Sequence, residues 1–362
     1  MRLITSNRGT RGWAGLRLPA LWLGVSLFAA GAAAATRPGP VGPTTAAAKS
    51  GAVGNASAKQ SATVRARVRA ARIRAARSRA SRSARALAEA KTPRYRTDTD
   101  GNVVPDVRAA AAIIYEPSTG RVLYEENAMD ERSIASITKV MTDIVFLESA
   151  ADLNQEEKIV RSDTLRASTT YLRTNDVVRV SDLLHLLLIP SDNAAARALA
   201  RISPLGSDGF IVRMNQKADD LGLVHTAYAD PSGLLNDNIS SAYDMARLIA
   251  FASEDDRIGP VMRTSEYSFR TAKGRSVTVR STNQILRAGD MDVLGGKTGF
   301  ITRAGYCLAT LLRLPQGGPS LAVVVLGASS NLGRFWETRH LMAWLAQRSQ
   351  VLSLTTPAVA TP

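Results

Sequence analysis

The pattern of hydrophobic and polar positions changes near residue 104, and beyond it the apolar residues recur with regular periods. Residues 109–115 and 121–124, joined by the polar turn Glu116–Gly120, predict a β-hairpin. Elsewhere, helical spacing predicts helices over 134–147, 181–189, 193–200, 209–221, 243–252 and 333–345, and continuous apolar runs predict buried strands over 308–314 and 321–326. Strands at both ends with helices between them predict an α+β fold, with an antiparallel sheet packed against a helical region.

The first hundred residues have a different character. Arg2, Arg8, Arg11 and Arg17 precede an apolar run and then alanines, which predicts a signal peptide over residues 1–35. A retained membrane anchor is the alternative, although the run is short for a span. Residues 36–103 contain almost no large apolar side chain and predict a disordered, Ala/Arg-rich basic linker. We expect residues 104–350 to form the folded domain and residues 351–362 a flexible tail.

The charge follows the same division. The chain carries +15, but residues 1–100 hold 19 basic and 3 acidic side chains, whereas the other 262 residues hold 27 and 28. The folded domain is therefore nearly neutral, and we expect no specific nucleic-acid partner. Weak contact of the linker with an anionic membrane or wall polymer is one hypothesis, and a solvated spacer is the alternative. The export signal predicts a location in the periplasm or cell envelope.

Cysteine and histidine are scarce. Cys307 is the single cysteine, which excludes an intramolecular disulfide and a cysteine-based metal cage. His185, His225 and His340 are too far apart in the sequence to show metal-ligand spacing. The sequence therefore predicts no metal centre.

The first candidate for chemistry is Ser136-Ile-Thr-Lys139, which occurs once, at a predicted helix start. Residues three apart share a helix face, so the Lys139 amine should lie beside the Ser136 hydroxyl. A lysine with a lowered pKa can remove the proton of a serine and make it a nucleophile, which an arginine cannot do. The alternative is an ordinary helix start with a serine cap and a solvated lysine.

Two further motifs follow in the chain. Ser191-Asp-Asn193 stands between two predicted helices, where it can relay a proton and orient the site, or simply cap a helix. Lys297-Thr298-Gly299, followed by Phe300, places a cation and a hydroxyl on a strand that glycine leaves open to another backbone. This arrangement suits a peptide that ends in a carboxylate, although a lysine protecting a strand edge is the alternative.

The three motifs in this order resemble those of penicillin-binding proteins and serine β-lactamases. Residues 105–350 are similar to the low-molecular-mass D-alanyl-D-alanine peptidases of peptidase family S11, and most to their endopeptidases of the penicillin-binding protein 7 type. The segments Asp230-Pro-Ser-Gly-Leu234 and Ser240-Ser-Ala-Tyr-Asp-Met-Ala246 support this resemblance. It implies a β-lactamase/DD-peptidase-like fold.

The resemblance also implies roles. Ser136 would attack the D-Ala carbonyl of peptidoglycan stem peptides and cross-links, with Lys139 as base, Ser191 as proton relay and Asn193 as orienting group. Lys297, Thr298 and Gly299 would bind the substrate, and the N–H groups of Ser136 and Phe300 would form the oxyanion hole. β-Lactams would act as covalent inhibitors, and no metal or organic cofactor would take part. Between Asn193 and Lys297, neither Glu254 nor Glu266 begins the Glu-x-x-Leu-Asn pattern of class A β-lactamases, so we expect slow deacylation.

Two other functions remain open. A carboxypeptidase that trims stem pentapeptides would attack the same kind of bond with the same nucleophile. A non-catalytic sensor of wall peptides or β-lactams would bind without turnover, although a binder has no need of a base beside a serine. The sequence favours cleavage of cross-links through an acyl-enzyme on Ser136.

Overall fold

The computed structural model describes residues 53–355, so the predicted signal peptide lies outside the described residues. The described residues divide into two units, residues 53–69 and residues 70–355. Ten α-helices and thirteen strands occur in the described part. The helices are α1 Val53–Lys91, α2 Lys139–Glu148, α3 Arg161–Thr164, α4 Val180–Leu188, α5 Asn193–Ile202, α6 Gly206–Asp220, α7 Ala242–Glu254, α8 Gly259–Met262, α9 Gln284–Ala288 and α10 Asn331–Thr355.

The strands are β1 Tyr95–Thr97, β2 Val103–Pro105, β3 Ala111–Glu116, β4 Arg121–Glu126, β5 Arg132–Ser133, β6 Glu156–Lys158, β7 Val177–Arg179, β8 Ile239–Ser240, β9 Glu266–Arg270, β10 Ser276–Arg280, β11 Asp292–Ile301, β12 Gly305–Arg313 and β13 Ser320–Ala328. Short 3₁₀ turns cover Ala135–Thr138 and Pro315–Gly317. The mixture of helices and antiparallel sheets confirms the predicted α+β class.

A five-stranded antiparallel sheet, in the order β11-β12-β13-β3-β4, forms the centre of the fold. Strand β13 shows why its sequence is a continuous apolar run, because both faces of the sheet are covered. Ala322, Val324 and Leu326 pack in the core that contains α7, and the alternating residues Leu321 and Val323 pack in the core that contains α10. Strand β11 lies at the edge of this sheet.

The larger core continues from α7 into a helical region built from α2, α4, α5 and α6. Fully buried side chains on these helices include Phe146, Leu183, Leu199 and Phe210. This region meets the edge of the sheet at β11, which contacts the 3₁₀ turn Ala135–Thr138. The fold therefore brings the edge strand β11, the start of α2 and the start of α5 close together.

From residue 53 on, the segment before the domain differs from the disordered linker predicted for residues 36–103, whereas residues 36–52 lie outside the described residues. Helix α1 covers Val53–Lys91, and β1 pairs with β2 across Tyr95–Pro105. Alanine and arginine both have high helix propensity, so a helix can form without burying an apolar face. The side chains of residues 67–89 are mostly exposed.

The closing helix is also longer than predicted. Helix α10 runs from Asn331 to Thr355 rather than over 333–345, and so includes the first residues of the predicted tail; residues 356–362 lie outside the described residues. Phe335, Leu341 and Trp344 anchor it on the sheet. Within residues 53–355, no helix combines the length and the apolar character needed to cross a membrane.

Candidate active site

Ser136 and Lys139 lie on one turn at the entrance to α2. Ser136 is part of the 3₁₀ turn Ala135–Thr138, and Lys139 is the first residue of α2. In a 3₁₀ turn, residues three apart stand almost directly above one another. The structure accordingly brings the two side chains together, with Lys139 Nζ 2.9 Å from Ser136 Oγ.

The lysine amine is buried among acceptors. Lys139 is 0% exposed, and its Nζ donates to Asn193 Oδ1 at 2.6 Å and to the main-chain carbonyl of Ser232. Both partners are carbonyl oxygens, which can only accept. A neutral amine has two N–H groups for these two oxygens, so its lone pair is left facing the Ser136 hydroxyl. This is the orientation that a general base requires.

Burial also sets the protonation of this amine. Removal from water disfavours the ammonium form and lowers the pKa of Lys139 from 10.5 to about 7. The carboxylates of Asp230 and Asp192 act in the opposite direction, and the Arg197 guanidinium adds a small lowering. Near neutral pH, a large share of the molecules therefore holds the amine uncharged.

In the Ser191-Asp-Asn193 motif, one residue caps a helix and another contacts Lys139. Asp192 caps α5, with its side chain accepting from two main-chain N–H groups at 2.8 and 3.0 Å. Asn193 donates its Nδ2 to Ala167 O at 2.6 Å and to Ser168 Oγ at 3.1 Å. These two bonds turn the amide oxygen of Asn193 toward Lys139. Capping and site orientation therefore occur together in one motif.

A second buried lysine lies across the site. Lys297 Nζ donates to Ser191 Oγ at 2.8 Å and to the carbonyl of Thr298 at 3.0 Å. Burial, then the positive charges of Lys139 and Arg334, hold the pKa of Lys297 well below its ordinary value. An anion bound beside Lys297 would raise that pKa. Binding of a carboxylate should therefore be accompanied by proton uptake.

Strand β11 approaches the backbone of Ser136 closely at Gly299. A Cβ atom built on Gly299 would lie 2.6 Å from the carbonyl oxygen of Ile134 and 3.2 Å from the Ser136 nitrogen. A side chain here would push the strand away from Ser136. Glycine therefore lets the edge strand and the start of α2 form one continuous wall of the site.

The neighbours of Gly299 face different surroundings. Thr298 is buried, and its hydroxyl lies 2.6 Å from the Thr282 hydroxyl. Phe300 is 50% exposed and stacks on Tyr306, with ring centroids 4.2 Å apart. Thr282 precedes α9, and nothing in its local sequence pattern indicated a place in the site.

The loop after Asp230 supplies a group that sequence reasoning missed. The Asp230 carboxylate accepts from the N–H groups of Ser232 and Gly233 at 2.6 and 2.8 Å. These bonds hold the Ser232 carbonyl against Lys139. Gly233 has φ +76°, and a Cβ atom on it would lie 2.0 Å from the carbonyl oxygen of Ala135. The Asp-Pro-Ser-Gly segment indicated a shaped loop, but not that its main chain contacts the amine.

Two residues beside the reacting groups have left-handed backbone conformations. Ala135, just before Ser136, has φ 49°, and Ser191 has φ 67°. Such conformations cost about 1–3 kcal/mol and persist only where the surroundings enforce them. Here one strained residue directly precedes Ser136, and the other carries the hydroxyl that accepts from Lys297.

Arg334 on α10 supports β11 from behind. Its guanidinium is buried and donates to Gly299 O at 2.9 Å and to Cys307 O at 3.1 Å. Burial lowers the pKa of Arg334 to about 10. The sequence placed Arg334 only on a closing helix, because the pairing depends on how α10 packs against the sheet.

The side chains of the remaining candidates, His185 and Cys307, make no hydrogen bond to Ser136, Lys139 or Lys297 in the described structure. His185 stacks on Tyr267, with ring centroids 4.0 Å apart, and its Nδ1 lies 2.8 Å from Ser181 O. Cys307 is buried in β12, where burial raises the pKa of its thiol to about 11. Across the described residues, no group of three or more His, Cys, Asp or Glu side chains is arranged to hold a metal ion.

Comparison with known proteins places the chain in a family. The sequence profile of the D-alanyl-D-alanine carboxypeptidases, peptidase family S11, matches residues 98–330. The D-alanyl-D-alanine endopeptidase of Escherichia coli K12 is 31% identical over 245 residues, 67% of this chain and 78% of that protein. The D-alanyl-D-alanine endopeptidase of Pseudomonas aeruginosa PAO1 is 32% identical over 259 residues, 70% of this chain and 82% of that protein.

Solved structures share the fold. The crystal structure of the Streptomyces K15 DD-transpeptidase superposes with a TM-score of 0.62 and 29% identity, over 66% of this chain and 97% of that chain. A D-alanyl-D-alanine carboxypeptidase from Mycobacterium tuberculosis H37Rv has the same fold, with a TM-score of 0.61. With the profile covering more than half of its length, the chain belongs to the D-alanyl-D-alanine carboxypeptidase family, peptidase family S11.

Proposed function

We propose that this protein is a serine-type D-Ala-D-Ala endopeptidase that hydrolyses the peptide cross-links of peptidoglycan through an acyl-enzyme on Ser136. The observation that carries the proposal is the buried Lys139 amine, 2.9 Å from the Ser136 hydroxyl and held by two carbonyl oxygens. The similarity to two D-alanyl-D-alanine endopeptidases over about two thirds of the chain supports the choice of cross-links.

The first half of the reaction forms the acyl-enzyme. Lys139 takes the proton of Ser136 Oγ as the oxygen bonds to the D-Ala carbonyl carbon, and the carbonyl oxygen becomes an oxyanion. The N–H groups of Ser136 and Phe300 would stabilise this charge, and such donors contribute about 3 kcal/mol each. The close approach of Gly299 to the Ser136 backbone supports this pairing.

The leaving amine then needs a proton. Ser191 Oγ, which lies 2.8 Å from Lys297 Nζ, would give its proton to the nitrogen as the C–N bond breaks and receive in exchange the proton that Lys139 took from Ser136, so that Lys139 is neutral again. Lys297 and Thr298 would bind the carboxylate on the leaving side. In the second half, Lys139 takes a proton from the water molecule that attacks the ester and returns it to Ser136 Oγ as the acyl C–O bond breaks. The acyl peptide is released and the Ser136 hydroxyl is restored.

The substrate would be met outside the cytoplasmic membrane, in the periplasm or cell envelope. The basic and then apolar leader of residues 1–35 supports this location. β-Lactams should acylate Ser136 and remain attached.

The experiment that tests the proposal compares two substrates. Purified full-length protein is incubated with cross-linked dimeric muropeptides and with monomeric stem pentapeptides, and products are separated and weighed by mass spectrometry. We expect conversion of dimers to monomers, with no conversion by Ser136→Ala. Trimming of pentapeptides with intact dimers would make the protein a carboxypeptidase. Penicillin labelling without cleavage of either substrate would make it a sensor.

A further inference from the structure

The last part of helix α1, residues 70–91, carries positive charge that the mechanism above does not use. We call these residues the basic arm. The arm contains six arginines and Lys91, whereas its single acidic residue is Glu89. The side chains of residues 70–86 are all exposed. The arginines of the arm are Arg72, Arg74, Arg77, Arg79, Arg82 and Arg85.

These six arginines have no carboxylate partner among the described residues. Their single side-chain hydrogen bond there runs from Arg82 Nε to the carbonyl oxygen of Ser78, at 3.3 Å. By contrast, Arg94, which follows the arm by three residues, pairs with Asp106. The charges of the arm are therefore available to a partner outside the folded domain.

The C-terminal end of the arm is attached to helix α10. The Lys91 carbonyl oxygen accepts from His340 Nε2 at 3.0 Å, and Lys91 Nζ lies 5.5 Å from the ring centroid of Trp336. The carbonyl oxygen of Thr92, the next residue, accepts from Arg108 Nη2 at 3.0 Å. A polymer that binds the arm is therefore held to the folded domain.

The arginines surround most of the arm instead of lining one side of it. At about 100° per residue, Arg72 and Arg79 lie on one side of the helix. Arg74 and Arg85 lie on the opposite side, and the other two lie on the flanks. Within residues 70–86, Ile73 is the only large apolar side chain.

This distribution favours a polymer network over a bilayer. A bilayer meets a helix from one side and binds it firmly where an apolar face can insert. One isoleucine among alanines and serines does not make such a face. The groups of a polymer network can approach from several directions and so reach arginines on all sides of the arm.

The chemistry of arginine indicates which network this is. A guanidinium group binds a carboxylate through two parallel hydrogen bonds. The stem peptides of peptidoglycan end in carboxylates, so the substrate of the proposed function is itself a polyanion. Residues 101–362 are nearly neutral, so the catalytic domain alone attracts this polyanion little.

We infer that the basic arm binds the free carboxylates of the peptidoglycan network and so holds the catalytic domain on its insoluble substrate. Each contact is weak, but several together raise the effective concentration of cross-links around the active site. The effect should appear with intact sacculi and be absent with small soluble fragments. This inference rests on the proposed function for the identity of the polymer.

The test measures binding without turnover. Full-length Ser136→Ala protein is mixed with purified sacculi, and the bound fraction is measured by sedimentation over a range of protein concentrations. A glutamine variant in this background should bind at least about tenfold more weakly, because the release of counter-ions from a polyanion supplies much of its affinity for a basic surface. Sacculi whose carboxylates have been converted to neutral amides should show a similar loss. The glutamine variant combines Arg72→Gln, Arg74→Gln, Arg77→Gln, Arg79→Gln, Arg82→Gln and Arg85→Gln.

The matched control places lysine at the same six positions. Lysine keeps the charge, and both lysine and glutamine have the helix propensity of arginine. The lysine variant should stay within about threefold of the parent affinity. Circular dichroism checks that both variants keep their helical content.

A second readout uses protein with Ser136 intact. At concentrations below saturation, the six glutamine substitutions should slow the digestion of sacculi at least about tenfold. They should leave the rate on soluble dimeric muropeptides unchanged, because the arm lies outside the catalytic machinery.

Unchanged sacculus binding by the glutamine variant would overturn the inference. If that variant has instead lost binding to vesicles of phosphatidylglycerol, the arm belongs to the membrane. An equal loss in the lysine variant would also overturn the inference, since charge would not explain it. Failure of the wild-type protein to cleave soluble dimers would refute the proposed function, which is a separate result because sacculus binding is measured without turnover.

Discussion

The pH dependence of acylation follows from the burial of Lys139. The lowering of its pKa from 10.5 to about 7 corresponds to a difference of about 5 kcal/mol between the charged and neutral forms. At an ordinary lysine pKa, only about one amine in 3,000 would be neutral at pH 7, whereas at a pKa of about 7 half of them are. Because only the neutral amine can accept the Ser136 proton, the acylation rate should follow the neutral fraction.

The expected profile can be given in numbers. A group whose pKa is lowered to about 7 is mostly protonated below that pH and mostly neutral above it. The second-order rate constant for acylation by a fluorescent penicillin should therefore rise about tenfold between pH 6 and pH 8 and level off above. Stopped-flow measurement over this range gives the profile, at a fixed ionic strength.

The Lys139→Arg variant is the control for this profile. Arginine keeps a positive charge at every pH of the experiment and so cannot act as the base. We expect no acylation at any pH, with circular dichroism showing an intact fold. A wild-type profile that is flat between pH 6 and pH 8, or that rises only near pH 10, would refute the account of Lys139.

Three further predictions concern the supports of the site. Gly233→Ala places a Cβ atom 2.0 Å from the Ala135 carbonyl oxygen, at a residue with φ +76°. We expect the acylation rate to fall at least tenfold and the melting temperature to drop. Wild-type values for both would contradict the close approach. Asn193→Ala removes the amide oxygen that accepts from Lys139 Nζ at 2.6 Å, so the acylation rate at pH 8 should fall roughly tenfold. An unchanged rate would show that the amine is oriented without Asn193. Arg334→Met removes two hydrogen bonds from a charged, buried donor and should cost about 2–3 kcal/mol in urea unfolding. A loss below about 0.5 kcal/mol would count against its supporting role.

The periodic parts of the sequence predicted most of the fold. The hairpin of β3 and β4, the helices α4 to α7 and the strands β12 and β13 lie where the apolar pattern predicts them, within a few residues. The short strands β9 and β10 were missed, because five-residue strands with alternating exposure give a weak signal. The helix α1 was missed because the prediction relied on burial, whereas alanine and arginine favour helix without it.

The sequence could predict contacts within the site where two side chains are a fixed number of residues apart on one helical turn. Ser136 and Lys139 are one turn apart, so local geometry alone brings them together. The Ser232 carbonyl was not predictable, because every residue has a carbonyl and only the folded loop directs this one toward the amine. Arg334 and Thr282 were missed for a related reason, since each reaches the site through packing between distant segments.

The central claim is that Ser136 is the nucleophile. The most direct measurement is the intact mass of the full-length protein after incubation with a penicillin, followed by proteolysis and mapping of the modified peptide. We expect one penicilloyl group per molecule, located on Ser136 and absent from Ser136→Ala, with Ser133→Ala as the matched control that is still labelled. An adduct on another residue, or equal labelling of Ser136→Ala, would contradict the account.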